Sequence, residues 1–334
     1  MYIKYKLQKK QVSHDGGVTW VDVVPLEERV GESAGTYSTL EECEGDYSTQ
    51  YFTFESLEDG NIICWYGGES GFTRTISAST DNGQTWTAYT ATSGGTEMVT
   101  LNTGDKVFIK GLNDIYYPEI YRSYGGPDGC RFRPTKRHIV YGNIMSLVDG
   151  DNFSSSTSMA SRSFRYLFYG DRTLISAENL ILPATTLSDY CYEGMFTSCS
   201  RLTTTPVLSA TTLANWCYAH MFQSCSGLTT APELPATTLA DSCYIWMFWY
   251  CTSLETAPIL SATTLTTQCY SNMFASYTSL NNITCLATNI SASGCVYNWL
   301  YDVSASGTFT KASSMNDWTT GSAGIPTNWT VQNA

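Results

Sequence analysis

The sequence predicts an α+β architecture, with one or two antiparallel β-domains at the N-terminus and a C-terminal solenoid of 26-residue units. Three observations predict it. From Leu182 to Gly294 the chain returns to itself every 26 residues, in units that begin at Leu182, Leu208, Leu234 and Leu260, and a fixed period of this length marks stacked repeats. The first half instead alternates apolar and polar residues between Gly-containing turns, the pattern of half-buried strands. At 334 residues, 43% of them hydrophobic, the chain can hold two or three domains and a substantial core.

Residues 1–45 open on Tyr2, Ile3, Tyr5 and Leu7 and read as a β-hairpin module suited to attachment. They contain Ser13-His-Asp15-Gly-Gly17-Val-Thr-Trp20, and a second copy, Ser79-Thr-Asp81-Asn-Gly83-Gln-Thr-Trp86, lies within residues 46–145. In this S-x-D-x-G-x-T-W pattern the Asp accepts backbone N–H groups across a hairpin bend. The Gly takes the positive-φ position and the Trp packs underneath. Residues 46–145 are expected to form a sandwich-like domain of about seven strands. Phe52 and Phe54 alternate there with Thr53 and Glu55, Asp59-Gly60 turns into Ile62 to Tyr66, and Val107, Ile109 and Leu112 supply a closing strand. The octad resembles the Asp-box of sialidases and related β-propeller proteins. The resemblance implies structural hairpins, because a sialidase needs a full propeller and an arginine cluster to hold a carboxylate. Arg131, Arg133, Lys136 and Arg137, next to His138, form one concentrated basic run. It reads as a solvated strand edge or loop, or as a docking site for an acidic partner.

Residues 146–181 look like a worn repeat, in which Ser163-Phe164-x-x-Leu167-Phe168-x-x-Asp171 aligns with Cys191-Tyr192-x-x-Met195-Phe196-x-x-Cys199. Ser and Asp in place of the cysteines are expected to give a cap its polar outer side. Within residues 182–305, Leu187, Cys191, Met195 and Cys199 stand four apart, a stripe that predicts a helical or near-helical turn. The Thr-rich half from Leu202 to Leu208 is expected to be a short strand, since Pro206, Pro232 and Pro258 oppose a continuing helix. Helices need more lateral room than strands, so the stack is expected to curve. The Thr pairs 185/186, 211/212, 237/238 and 263/264 suggest hydroxyl ladders. Residues 306–334 have lost the period and are expected to lid the last unit.

The pattern C-Y-x-x-M-F-x-x-C-x-x-L, kept through four units with only Tyr277 replacing a cysteine, resembles the BspA-like leucine-rich repeat. That resemblance covers about the last half of the chain and implies adhesion or recognition at surfaces. Most of the twelve cysteines keep the repeat register and read as small hydrophobes in a core ladder, with disulfides between units as the other reading. A C-x7-C spacing is not a zinc spacing. No metal or cofactor is expected.

Columns outside the apolar register are where recognition can sit. Trp216, His220, Trp246, Trp249 and Tyr250 occupy such columns, and flat aromatic faces suit a sugar ring or a partner protein. Packing between adjacent turns is the competing explanation. A net charge of −12 argues against nucleic acid as partner, and the basic start lacks the apolar run of a secretory signal. No stretch is long enough to span a membrane. Nucleophile-elbow, zincin, P-loop and dinucleotide motifs are missing, and three scattered histidines offer no constellation. Asp149-Gly-Asp151-Asn152 lacks the remaining ligands of a calcium loop. Asp-box β-regions joined to such repeats are similar to proteins encoded by phages of gut Bacteroidetes. This likeness implies a non-enzymatic virion protein, a fibre or other exterior part, whose partners are other virion proteins and a host-surface glycan or protein. A homotrimer follows by analogy with fibres. The alternatives are a bacterial cell-surface adhesin and a glycan-cleaving, sialidase-like enzyme.

Overall fold

A computed structural model of the chain describes residues 2–6, 9–13, 21–23, 46–118, 128–254 and 256–334. Two units separate, Met1–Asp46 and Tyr47–Ala334. The first holds β1 (Tyr2–Lys6), β2 (Lys9–Ser13) and β3 (Val21–Val23), antiparallel in that order, with Ile3 opposite Val12 and Val12 opposite Val21.

The second unit begins with β4 (Phe52–Ser56), β5 (Asn61–Tyr66), β6 (Thr75–Ser79), β7 (Thr87–Thr90), β8 (Thr96–Leu101), β9 (Lys106–Gly111), β10 (Arg131–Phe132) and β11 (His138–Asn143). One sheet runs β11-β4-β9-β6-β7 and a smaller one β10-β5-β8, all antiparallel. Alternation places Phe52 and Phe54 of β4 against Phe132 of β10, at 5.6 and 4.9 Å between ring centres, and Trp65 of β5 lies 4.5 Å from Phe132. These rings join the two sheets. One turn of α-helix, α1 (Ser146–Asp149), follows and runs on into a 3-10 helix at Gly150–Ser155. Then β12 (Leu174–Ser176) and β13 (Leu180–Ile181) pair parallel with β11, so the larger sheet continues into the repeats.

The expected α+β leucine-rich-repeat solenoid is overturned. The described chain is mainly β, with 26% of residues in strands and one four-residue helix, and no solenoid of strand-and-helix units is present among the described residues. Consecutive turns replace the helix, and their hydrogen bonding gives the reason. Tyr190, Tyr192, Gly194, Phe196 and Ser198 donate their N–H groups to carbonyls 25 residues on, from Asn215 to Gln223, at 2.8–3.0 Å. The residues between them, Cys191, Glu193, Met195, Thr197 and Cys199, donate three residues back at 2.9–3.3 Å. A helix would spend every donor within itself. It would also rotate a four-residue stripe by about 40° per step, whereas four-residue turns keep the doublets Cys191-Tyr192 and Met195-Phe196 in line.

The strand expected at Leu202–Leu208 is also corrected, because the proline-bearing units show single parallel bridges such as Ser176 with Thr204 and Thr230 with Thr256. Proline removes the donor that a longer ladder needs. Where the same position holds Thr284, the chain does form a strand, β14 (Asn282–Cys285), which pairs parallel with β15 (Gly307–Lys311), itself parallel to β16 (Trp329–Asn333). The expected curvature loses its cause, since no helix is wider than its opposing strand. The Thr pairs are exposed, and backbone joins them: Thr211 and Thr212 N–H both donate to Thr185 O at 3.1 Å. That replaces the expected hydroxyl ladder.

Inside the turns, Tyr192, Tyr218, Tyr244 and Tyr270 form a column of parallel rings 5.8–6.2 Å apart. Phe168, Phe196, Phe222, Phe248 and Phe274 form another at 5.3–5.8 Å. The column continues from Phe168 to Phe52 and Phe54 of the sheet, so one core serves both halves. Ser163 and Asp171 were expected on a polar outer side, yet both are buried. Asp171 Oδ2 lies 3.2 Å from Nε2 of the buried His138 on β11, and Ser163 donates to Asp114 O and Ala160 O. The unit that was expected to cap the stack meets a sheet there, and its polar groups face that sheet and the adjoining loops. At the far end Trp318 stacks on Trp299 at 5.4 Å, and the Trp299 indole donates to Gly324 O.

All eleven cysteines among the described residues are free and buried. Burial pushes the Cys217 and Cys251 thiols up to about 12, where almost no thiolate exists at neutral pH. The eleven should therefore resist a thiol reagent at pH 8 in the native protein, and all twelve cysteines of the chain should react in guanidinium without reductant; a denatured count short of twelve would mean disulfides. Ser224 has φ 59°, so Ser224→Gly should stabilise by about 1 kcal/mol and raise the melting temperature. In a helix the same change would lower it.

Candidate recognition surface

The turns repeat one backbone state. The first residue of each four-residue turn is left-handed: Tyr190 (φ 59°), Gly194 (61°) and Ser198 (63°), then Trp216 (59°), His220 (57°) and Ser224 (59°), and again Ser242 (56°), Trp246 (54°) and Tyr250 (65°). The second and third residues supply the buried Cys-Tyr and Met-Phe doublets. Most of the variable side chains therefore sit on the first and fourth positions.

The predicted binding residues lie on these positions, stacked along the coil. Trp216 packs on Tyr190 at 6.0 Å with Arg162 4.9 Å over the tyrosine. His220 packs on Trp246 at 4.7 Å, and Trp249 meets Tyr250 edge-on at 5.9 Å. Trp216, His220, Trp246 and Trp249 are half-buried, while Tyr250 is 53% exposed. Stacking covers one ring face each of Trp216 and Trp246, so packing between turns accounts for much of these two. Burial pushes His220 down to about 4, against a hydrogen bond from its Nδ1 to Gln223. It is neutral at pH 7.

Two residues were missed by sequence reasoning. Tyr297 and Tyr301 are each 56% exposed, and they stand in the same columns as Glu193 and Trp249. Tyr250 N–H donates to Ala275 O, Asn272 N–H to Tyr297 O and Ser276 N–H to Tyr301 O. Tyr250 and the two later tyrosines thus flank one intervening turn, which carries only small or polar outer residues. Counting columns through the irregular last unit was the available signal. Near the other end, the carboxylate of buried Glu193 lies 2.7–2.9 Å from the Arg165 guanidinium. Burial raises its pKa against the pull of Arg165, and the pair adds no free charge.

The remaining predicted residues lie elsewhere. Asp15, Gly17 and Trp20 of the first Asp-box fall outside the described residues. In the second, Asp81 Oδ1 accepts from Ser79 Oγ at 2.6 Å and Thr85 N at 2.9 Å, and Oδ2 accepts from Thr85 Oγ1 at 2.6 Å. Gly83 has φ 85°, and the Trp86 indole donates to Gly83 O and packs on Tyr51 at 5.0 Å. The basic run is dispersed. Arg131 is buried against Tyr66, Lys136 Nζ donates to Asp59 O, Arg137 pairs with Glu58, and Arg133 is exposed. No group of three or more metal-ligating side chains occurs among the described residues, and no helix there is long and apolar enough to cross a membrane.

Comparison with protein families, with curated proteins and with solved structures finds no match.

The hydrogen bonds from Ser79 and Thr85 hold Asp81 down to about 2. A carboxylate depressed in the folded state stabilises above its unfolded pKa, near 3.8, and loses that contribution as pH falls to about 2. The difference in melting temperature between the wild type and Asp81→Asn should accordingly shrink between about pH 4 and about pH 2. A constant difference would show that Asp81 stays equally bonded when protonated.

Proposed function

We propose that the protein is a non-catalytic recognition component on the exterior of a virus particle, a fibre or other surface part, and that the aromatic face of its repeats contacts the host. The observation that carries the reading is the segregation of side chains by backbone state. Inward positions repeat Cys, Tyr, Met and Phe, while left-handed and fourth positions change from unit to unit and gather Trp249, Tyr250, Tyr297 and Tyr301. Tyr and Trp supply large contact areas at small entropic cost and dominate binding hot spots. A half-exposed group of them suits a host glycan or protein. The virion setting rests on the sequence likeness of Asp-box regions joined to such repeats in phage-encoded proteins. In it the N-terminal β-region attaches to other virion proteins.

The triple variant Trp249→Ala, Tyr250→Ala, Tyr301→Ala should bind host cells about a hundredfold more weakly with a melting temperature close to wild type. Trp246→Ala should instead lower the melting temperature, since it unstacks from His220. Undiminished cell binding by the triple variant would sink the assignment of the face. Mass spectrometry of purified particles checks the setting: presence of the chain supports a virion part, and its presence in cell envelopes alone points to an adhesin.

A further inference from the structure

The β-region carries a second feature, apart from the aromatic face. The start of β6, the end of β9 with the loop after it, and residues 149–152 line a cavity of about 620 Å3 that is open to solvent on one side. One charge pair inside it is already committed. Lys110 Nζ lies 2.7 and 3.0 Å from the two carboxylate oxygens of Asp151 and 4.1 Å over the Trp86 ring, and the Tyr51 hydroxyl donates to the same carboxylate at 2.7 Å. Asn113 in the lining is held in place, since its amide donates to Thr75 O at 2.8 Å and to Tyr116 OH at 3.1 Å, and Tyr116 OH in turn donates to Leu147 O at 2.6 Å. The cavity is therefore pre-formed, and its volume lies in the usual range of small-ligand sites.

Other groups lining it are uncommitted. The Asp149 carboxylate, the Ser77 hydroxyl and the Asn152 amide have no side-chain hydrogen-bond partner among the described residues. Leu112, 82% exposed, stands at the rim as the one apolar side chain of the lining. Open acceptors beside one apolar side chain call for a ligand rich in hydroxyl donors with a C–H face. An anion would meet the bare Asp149 while the one cation is spent on Asp151. A divalent metal would have to displace Lys110, and a wholly apolar ligand would leave the carboxylate buried without a partner. We propose that this cavity binds one neutral sugar ring, with Asp149 and Asn152 accepting its hydroxyl protons and Leu112 covering its C–H face.

The test is ligand-observed saturation-transfer NMR on the full chain with free galactose, mannose, glucose and N-acetylglucosamine at millimolar concentration, alongside sialic acid, glucosamine and calcium chloride. At least one neutral sugar should give a signal that falls tenfold or more in Asp149→Ala, Asn152→Ala, and persists in Trp249→Ala, Tyr250→Ala, Tyr301→Ala. Persistence there separates this site from the aromatic face, so either reading can fail alone. Backbone amide shifts of the wild type on titration should cluster at Gly111, Leu112 and Gly150, which keeps the test decisive even where a variant misfolds. No signal from any neutral sugar, a response to sialic acid, glucosamine or calcium alone, or shifts centred elsewhere would overturn the proposal.

Discussion

The repeats depend on one constraint: every buried backbone donor must find an acceptor although the local chain is neither helix nor sheet. The turns meet it by alternation. One N–H closes a turn and the next reaches across to the neighbouring unit, so half of the donors between Tyr190 and Cys199 tie one unit to the next. Backbone hydrogen bonds thereby do the lateral joining that a leucine-rich repeat leaves largely to a single strand. The rings of Tyr192, Phe196 and their counterparts then lie parallel because the backbone sets their spacing.

This arrangement has an energetic cost and a structural compensation. Left-handed backbone costs a non-glycine residue about 1–2 kcal/mol, and Trp216, His220 and Trp246 all carry it. The cross-unit hydrogen bonds from those same residues offset it, as does stacking between successive side chains. Gly194 is where the exchange has no alternative, since an added Cβ would stand 2.0 Å from the Tyr166 ring. The outer side chains are thus fixed at their roots by the backbone and, at Trp216, His220 and Trp246, by stacking along the column.

The sequence disclosed the columns and concealed the backbone. The doublets Cys191-Tyr192 and Met195-Phe196 identify the inward face directly, because large apolar residues repeat there through all four units. A stripe spaced by four fits a helix and a chain of four-residue turns equally well over two or three steps, and the choice between them lies in donors that no side chain reveals. A hint was present in Gly194, Asn272, Gly294 and Asn298, residue types that favour positive φ, but Trp216, His220 and Trp246 on equivalent positions masked it. The hydrogen bonds of the Asp-box at Asp81 are local to eight residues, so its turn could be read along the chain, although two of the three come from the Ser79 and Thr85 hydroxyls and not from backbone N–H groups. The burial of Ser163 and Asp171 was not, because it depends on His138 and Asp114, far away in sequence. Tyr297 and Tyr301 were overlooked because the last unit departs from the consensus.

The alternation of donors makes each unit present the same rows of N–H groups on one side and carbonyls on the other. A copied unit of 26 residues placed anywhere in the series would find both its neighbours complementary, without any change to their side chains. Gene duplication can therefore lengthen or shorten this protein in whole steps, and each new step brings a fresh set of outer positions on which selection can act. The length of the stack and the make-up of its outer face can evolve separately from folding.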